Sequence, residues 1–425
     1  MDVVLEKFDE YVFNYVYPSL PAIPIPDLVA AIAAIPKWSE FHSLLTASTS
    51  PLQTIASIGR NVASSALASN NTLNALATDH IFRQILSLFF ITYLGALVMY
   101  FAFSVPSYYF VFDRNHMKHP KFLKNQIRLE IQMSMKALPG IAVVTVPWLL
   151  GEVRGYSRLY EHIHTKDSIL SAVIYSPPTS VIQQTVAAAV TTATGINTTA
   201  AVAAAAAAAA STANAARAAK FGPLAPLVEP FMDGWGYVAF SIVAFLMFTD
   251  FGIYWIHRWL HHPILYKRLH KPHHKWIIPS PFSSHAFHFM DGYSQSVPYH
   301  LFVYLVPMQK WIYLIMFSLV NLWSVLIHDG EYLVSNPVVN SAAHHAVHHL
   351  YFNYNYGQYS TLWDRIGGSY RKPDDAMYNS ELRMDKSVWK KQAKDVDNFD
   401  DNGKPTAASD QTYKKGPHSK GTKAL

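Results

Sequence analysis

The 425-residue sequence contains no cysteine. Disulfides, cysteine-ligated zinc, iron–sulfur clusters and thiolate-ligated haem are excluded together. Any metal must be held by imidazole, with or without carboxylate help. Charge is also scarce: 15% of residues are Asp, Glu, Lys or Arg, against 51% hydrophobic. That balance points away from an ordinary soluble enzyme and towards a membrane protein. The formal charge of +6 is not gathered into a basic stripe with interleaved aromatics, so no nucleic-acid partner is expected. Attraction to anionic lipid headgroups accounts for the basic excess. The opening MDVVLEKFDE is acidic and mixed, so a cleavable signal peptide is not expected and targeting falls to the first membrane span.

Long apolar runs are present. Residues 85–105 carry no charge and end at Pro106, which is enough to cross a hydrocarbon core of about 30 Å. Residues 137–150 are apolar but short and hold Pro139 and Pro147, so an irregular second span is expected. Residues 237–256 are apolar except for Asp250 and run into a histidine box. Residues 299–308 and 311–327 read as a hairpin that enters and leaves on one side, with His300 and His328 at its ends. The expected fold is all-α, an integral membrane helical bundle of about four crossings with a histidine-rich di-metal helical cap. The basic residues of the first loop (Arg114, Lys118, Lys121, Lys124, Arg128) and those beside the boxes (Arg258, Lys267, Arg268, Lys271, Lys275) put both on the cytosolic side.

The resulting organisation is a lumenal segment 1–80, two spans with their loops over 81–186, an alanine-rich insert at 187–220, a catalytic region at 221–373 and a polar tail from 374 to 425. The tail composition predicts disorder. The alanine run 203–210 favours helix but supplies little hydrophobic drive. Sequons stand at Asn70 and Asn197 on the predicted lumenal side, although such tripeptides are common by chance.

Histidine carries the chemistry. Fourteen of 21 histidines fall between His257 and His349, most at metal-ligand spacing. His257 and His261 form H-x3-H, His270, His273 and His274 form H-x2-H-H, and His345, His348 and His349 repeat the second pattern. Residues four apart on a helix share a face, so His257 and His261 point the same way. In the H-x2-H-H boxes the first two histidines are expected on one face and the third turned by about 100°, which sends ligands to two adjacent metals. Pro272 is expected to interrupt a longer helix, leaving His270 before a new turn. Eight histidines exceed the four ligands of a structural zinc site, and no Glu-x-x-His pair marks a carboxylate-bridged bundle. Imidazole suits iron, zinc and copper alike.

Blander readings stand beside these. One isolated box is an accident about as often as a site; three together are not. His262, His300 and His344 fit neighbours better than ligands, and His288 is evenly balanced. Asp250, inside a span, costs about 2.5–3.5 kcal/mol against lipid and should face the bundle. There it either bonds a neighbouring group such as Tyr254 or orients a ligand. Asp291 and Asp329 each precede glycine, so turn formation competes with bonding to a histidine. His162 and His164 form an isolated pair in the predicted lumenal loop.

The strings that carry these residues are 251–263 (FGIYWIHRWLHHP), 269–276 (LHKPHHKW), 280–300 (SPFSSHAFHFMDGYSQSVPYH), 327–332 (IHDGEY) and 344–373 (HHAVHHLYFNYNYGQYSTLWDRIGGSYRKP), with 112–130 upstream. Together they resemble the fatty acid hydroxylase superfamily of membrane di-iron oxygenases, and within it the fungal Δ7-sterol C-5(6) desaturases. The resemblance covers roughly 81–373 without the insert. It implies that the eight box histidines ligate two iron ions, with His328 as the first candidate for a ninth and His285 as the second. It also implies O2 as co-substrate, electrons from NAD(P)H through a reductase and cytochrome b5, a membrane-dissolved Δ7-sterol as substrate, and residence in the endoplasmic reticulum. Tyr254, Trp255, Phe287, Tyr293, Tyr351 and Tyr354 are candidate sterol-lining residues, with interface packing as the competing reading. A sterol C-4 methyl oxidase or a fatty acid or sphingolipid hydroxylase would share the metal core, and a non-catalytic metal-binding sterol carrier is the reading from another class.

Overall fold

The computed structural model describes residues 2–20, 76–161, 234–332, 336–379 and 385–397. The alanine-rich insert, both sequons, His162, His164 and residues 398–425 lie outside them. The described residues fall into two compact units. One is drawn from Met1–Gln84, Leu150–Val243 and Val303–Tyr313, the other from Ile85–Leu149, Ala244–Phe302 and Leu314–Leu425. All the box histidines belong to the second.

The protein is a helical membrane protein. Among the described residues, three helices are long and apolar enough to cross a bilayer: Ile81–Phe110, Gln126–Val153 and Trp235–Leu260. The apolar helix Lys310–Leu326 has 17 residues, a rise of about 26 Å, short of the hydrocarbon thickness. It pairs with Phe289–Leu305, Tyr299 and His300 lying against Phe317 at ring separations of 6.1 and 5.7 Å. The expected four crossings are therefore three spans and a hairpin. Close approach of the hairpin to the third span uses Gly252, where an added Cβ would stand 2.7 Å from Pro298.

The second span corrects the sequence reading. It is continuous over Gln126–Val153, with Pro139 and Pro147 in its interior. Each proline costs one backbone hydrogen bond, a loss that packed membrane helices tolerate. Its first turns hide polar residues: Gln126, Glu130 and Ser134 are buried. They serve the loop before the hairpin. Gln126 donates to the Ile278 carbonyl at 2.8 Å, Glu130 accepts from Ser280, and Ser134 donates to the Phe282 carbonyl at 3.4 Å. From the first span, Tyr100 and Ser104 donate to the carbonyls of Phe282 and Pro281 at 3.0 and 3.1 Å. Buried backbone acceptors are satisfied this way, which fixes the segment leading into and through the short 3-10 helix Pro281–His285.

The polar tail, expected to lack structure, contains the helix Lys386–Val396, capped by Asp385. Its single tryptophan is the reason. Trp389 is buried against His119 at 5.6 Å, and Tyr351 donates to Asp395 at 3.3 Å. Average composition hides one well-placed aromatic residue.

Candidate metal centre

Among the described residues, two histidine sets form in the second unit. His257, His261, His270, His274 and His348 make one; His273, His328, His345 and His349 make the other. Within each set the candidate ligand atoms lie within 4.8 Å of one another. His274 and His349 adjoin across the two sets, their rings 5.0 Å apart.

The helices explain the partition. His257 and His261 end the third span. The chain then continues through Pro263–Leu265, a π-turn at Tyr266–His270 and the helical turn Lys271–His274. The last turn thus starts anew after His270, its N-cap, as expected, and Pro272 sits in that first turn, where its missing N–H has no partner to lose. In each H-x2-H-H box the first and third histidines stay together and the second crosses to the other set. His270 and His274 stand opposite His273, and His345 and His349 stand opposite His348. This corrects the expected pairing of first with second. Both i+3 and i+4 flank residue i on a helix, so spacing alone left the choice open. The last box lies on Ala342–Tyr351, buried from Ala342 to Leu350 and opened by a capping box of Ser341 and His344.

Outer contacts fix four of the rings. A backbone carbonyl can only accept, so an imidazole nitrogen bonded to one must carry the proton. His257 Nδ1 donates to the Tyr356 carbonyl at 3.0 Å, His348 Nδ1 to Tyr354 at 2.7 Å, and His328 Nδ1 to Ser324 at 2.6 Å. His270 Nδ1 donates to the Asp291 carboxylate at 2.7 Å, both side chains being fully buried. Each of the four Nε2 atoms then presents a lone pair. His348 Nε2 has no hydrogen-bond partner. His257 Nε2 faces His270 Nε2 at 3.1 Å, and neither can donate to the other. Lone pairs face each other this way when a cation lies between them.

The spacing tests the fit further. Two nitrogens bonded to one ion at about 2.1 Å stand about 3.0 Å apart at a right angle and about 3.4 Å apart in a tetrahedron. The Nε2 of His274 lies 3.1 Å from those of both His261 and His270. In the second set His345 lies 3.0 Å from His328 and 3.1 Å from His349. These are right-angle spacings, and five nitrogens in one set exceed a closed tetrahedral zinc site. Burial, with mutual repulsion, also favours the neutral, metal-binding form of seven of these rings. His261, His273, His274, His345 and His349 are held well below the usual histidine range, while burial lowers His328 to about 4 and His348 to about 3.

The carbonyls that orient His257 and His348 come from the loop after the last box. Phe352 and Asn355 adopt positive φ of 60° and 56° there. Asn355 bonds the His344 carbonyl and both backbone groups of Arg371 that face it. Asp364 accepts from the backbone N–H of Tyr356 and Gly357 at 2.9 and 2.8 Å. Asp250 accepts from the Tyr359 N–H at 2.8 Å and the Ser360 hydroxyl at 2.5 Å. It therefore acts on His257 through this loop. Asn355, Asp364, Ser324 and Tyr356, whose ring lies 5.0 Å from that of His261, were not among the sequence candidates. No periodic pattern marks a residue that serves through its carbonyl.

The other candidates lie as follows. Asp291 meets His270 and sits in the first turn of a helix, not in a reverse turn. Asp329 accepts from the Glu331 N–H beside Gly330 (φ +73°), the turn alternative, and burial raises it to about 7. His285 joins neither set; it bonds Ser284 at 3.0 Å and packs on Tyr100. His288 accepts from the Met290 N–H and lies tilted against Phe289 at 4.8 Å. Phe287 lies against His273 at 5.9 Å. Tyr254 receives Arg258 and meets Ser369, Trp255 is part-exposed, Tyr293 accepts from Trp148, and Tyr351 and Tyr354 lie under Arg371.

A membrane helical bundle with adjoining all-histidine sets that could hold metal marks a class of membrane protein, and sequence comparison gives it a family. Residues 242–369 match the Fatty acid hydroxylase family. Over 403 residues the chain is 41% identical to the "Probable Delta(7)-sterol 5(6)-desaturase" of Neurospora crassa, covering 93% of each. It is 39% identical over 397 residues to a Delta(7)-sterol 5(6)-desaturase of Aspergillus fumigatus, again covering 93% of each. With a third, from Schizosaccharomyces pombe, it shares 42% identity over 75% of this chain and 84% of that one. No solved structure matches. The chain belongs to the Δ7-sterol 5(6)-desaturase family of membrane oxidoreductases.

Two outcomes follow from the site. Asp291→Ala frees the His270 ring and leaves its Nδ1–H unsatisfied, so metal affinity should fall about 10–100-fold in competition against a chelator. An unchanged affinity would remove Asp291 from the site. The metal-free protein should also be acid-sensitive. An unfolded histidine takes up a proton near pH 6.5, whereas His328 does so only at about 4 in the fold. Between these values the unfolded state binds more protons, so stability is present above pH 6.5 and lost as the pH falls. Thermal unfolding of the metal-free protein should occur at lower temperature at pH 5.5 than at pH 8.

Proposed function

We propose that this protein is a Δ7-sterol C-5(6) desaturase that holds two iron ions, one in each histidine set. It would lie in the endoplasmic reticulum membrane with the sets on the cytosolic face. The observation that carries the reading is the convergence of buried, outward-anchored Nε2 lone pairs in two adjoining sets. His257, His261, His270, His274 and His348 would hold one iron, and His273, His328, His345 and His349 the other. His285 is left out of both. Names of relatives aligned along nearly the whole chain support the substrate class.

When bound, iron supplies the redox chemistry. O2, two electrons and two protons, with the hydrogens removed from C-5 and C-6, leave as two waters beside the new double bond. The chain's own part is to hold and shield. Asp291 and the carbonyls of Tyr354, Tyr356 and Ser324 keep four imidazoles in one tautomer with Nε2 inward. Burial keeps bulk water from the sets. Phe287, against His273, is the aromatic candidate best placed to meet an apolar substrate. The sterol would arrive laterally from the bilayer. Electrons would come from NAD(P)H through a reductase and cytochrome b5, docking on the basic face around Lys267, Arg268, Lys271 and Lys275.

Expression in yeast lacking its own C-5 sterol desaturase should restore 5,7-diene sterols, read by gas chromatography–mass spectrometry. A His273→Ala variant should restore none. Absence of the diene with the wild-type protein in the membrane would contradict the reading, and an oxygenated sterol in its place would make the enzyme a hydroxylase.

A further inference from the structure

The N-terminal helical run has no part in the metal site, yet it is tied into its own unit. It consists of Asp2–Phe8, a π-turn at Asp9–Phe13 and Asn14–Ser19. Its buried stripe is Leu5, Asp9, Phe13 and Tyr17. Arg83, at the start of the first span, donates to Asp9 at 2.6 Å, to Asn14 at 2.7 Å and to the Leu76 carbonyl at 3.0 Å. Tyr17 places its ring 4.6 Å under the same guanidinium and donates to the Arg83 carbonyl at 3.1 Å. Asp2 is paired with Lys310 at 2.5 Å. A buried arginine with this many partners fixes the run at the point where the first span begins.

The rest of the surface divides in two. Glu6, Lys7 and Glu10 are exposed, with Lys7 and Glu10 paired at 2.7 Å. Phe8, Tyr11, Val12, Tyr15 and Val16 are exposed as well, Tyr11 by 67% and Tyr15 by 74%. Their spacing of i, i+3, i+4, i+7 and i+8 makes one continuous apolar face. Three sectors therefore surround the axis, one against protein, one charged and one apolar, and the Lys7 ammonium stands 5.7 Å over the Tyr11 ring where the charged and apolar sectors meet. We infer that this run lies in the membrane interface beside the start of the first span, with its Phe8–Val16 face against lipid and its charged face in water.

Two further observations favour lipid over another protein. The run is docked on Arg83, in the first turn of a helix long and apolar enough to span a membrane, which places it where that span begins. The same unit exposes Trp235 by 72% and Trp311 by 52%, each at the first turn of an apolar helix. Tyrosine and tryptophan collect at the water–hydrocarbon boundary because they join an apolar ring to a polar edge. A five-residue stripe also falls short of the roughly 800 Å² per partner of a stable protein interface, whereas interfacial helices are amphipathic in this way.

The chain's lack of cysteine gives a clean test. Single-cysteine variants Tyr11→Cys, Tyr15→Cys and Lys7→Cys of the full chain would be spin-labelled and reconstituted into phosphatidylcholine vesicles. Collision with O2, which partitions into lipid, is then compared with collision with a water-soluble nickel chelate. Labels at 11 and 15 should be open to O2 and shielded from nickel, and the label at 7 the reverse. Labels at 11 and 15 that meet nickel freely would place the face in water. Shielding from both probes would mean that a second copy or another part of the chain covers it. Either result overturns the inference.

Discussion

The structure depends on keeping buried imidazoles aimed. Nine of them stand in two sets with separations between Nε2 atoms near 3.1 Å. Without a cation this is an unfavourable arrangement, since the rings lose solvation and some face each other lone pair to lone pair. It holds because the far nitrogen of several rings is committed elsewhere. A carboxylate at His270 and carbonyls at His257, His328 and His348 remove the rotational and tautomeric alternatives. The protein spends buried polar groups to orient bases towards a point.

That requirement reaches well beyond the histidines. The loop that supplies two of the carbonyls is anchored by Asp250 on the third span, Asp364 on the following turn and Asn355 at positive φ. The loop leading to Asp291 is held by Gln126, Glu130 and Ser134 of the second span and by Tyr100 and Ser104 of the first. These polar residues within the apolar helices are accounted for by the loops they satisfy. Each membrane helix contributes a polar group where the metal region meets it, and lipid-facing residues elsewhere.

The helical membrane fold and the histidine boxes were legible in the sequence because both are written in spacing and residue type. Residues 85–105 carry no charge and residues 237–256 only Asp250, and three boxes of histidine have no bland explanation. What was hidden has physical reasons. The second span starts near Gln126 with its polar side inward, so a search for apolar runs begins it too late. The split of each H-x2-H-H box depends on which of two near-equivalent neighbours meets the facing helix, and only packing decides that. Tyr354, Tyr356 and Ser324 orient histidines through their carbonyls, which every residue possesses. The Lys386–Val396 helix rests on Trp389 in an otherwise polar tail.

The central claim is that the two sets are two metal sites. The most direct measurement is the metal content of purified full-length protein, reconstituted with ferrous iron and counted by mass spectrometry. Comparison is with a variant in which His345 and His349 are both alanine and the five-histidine set is intact. The account predicts two ions per wild-type chain, one for each set, and one ion in the variant. A wild-type count of one or none, or a count that the paired substitution leaves unchanged, would contradict it.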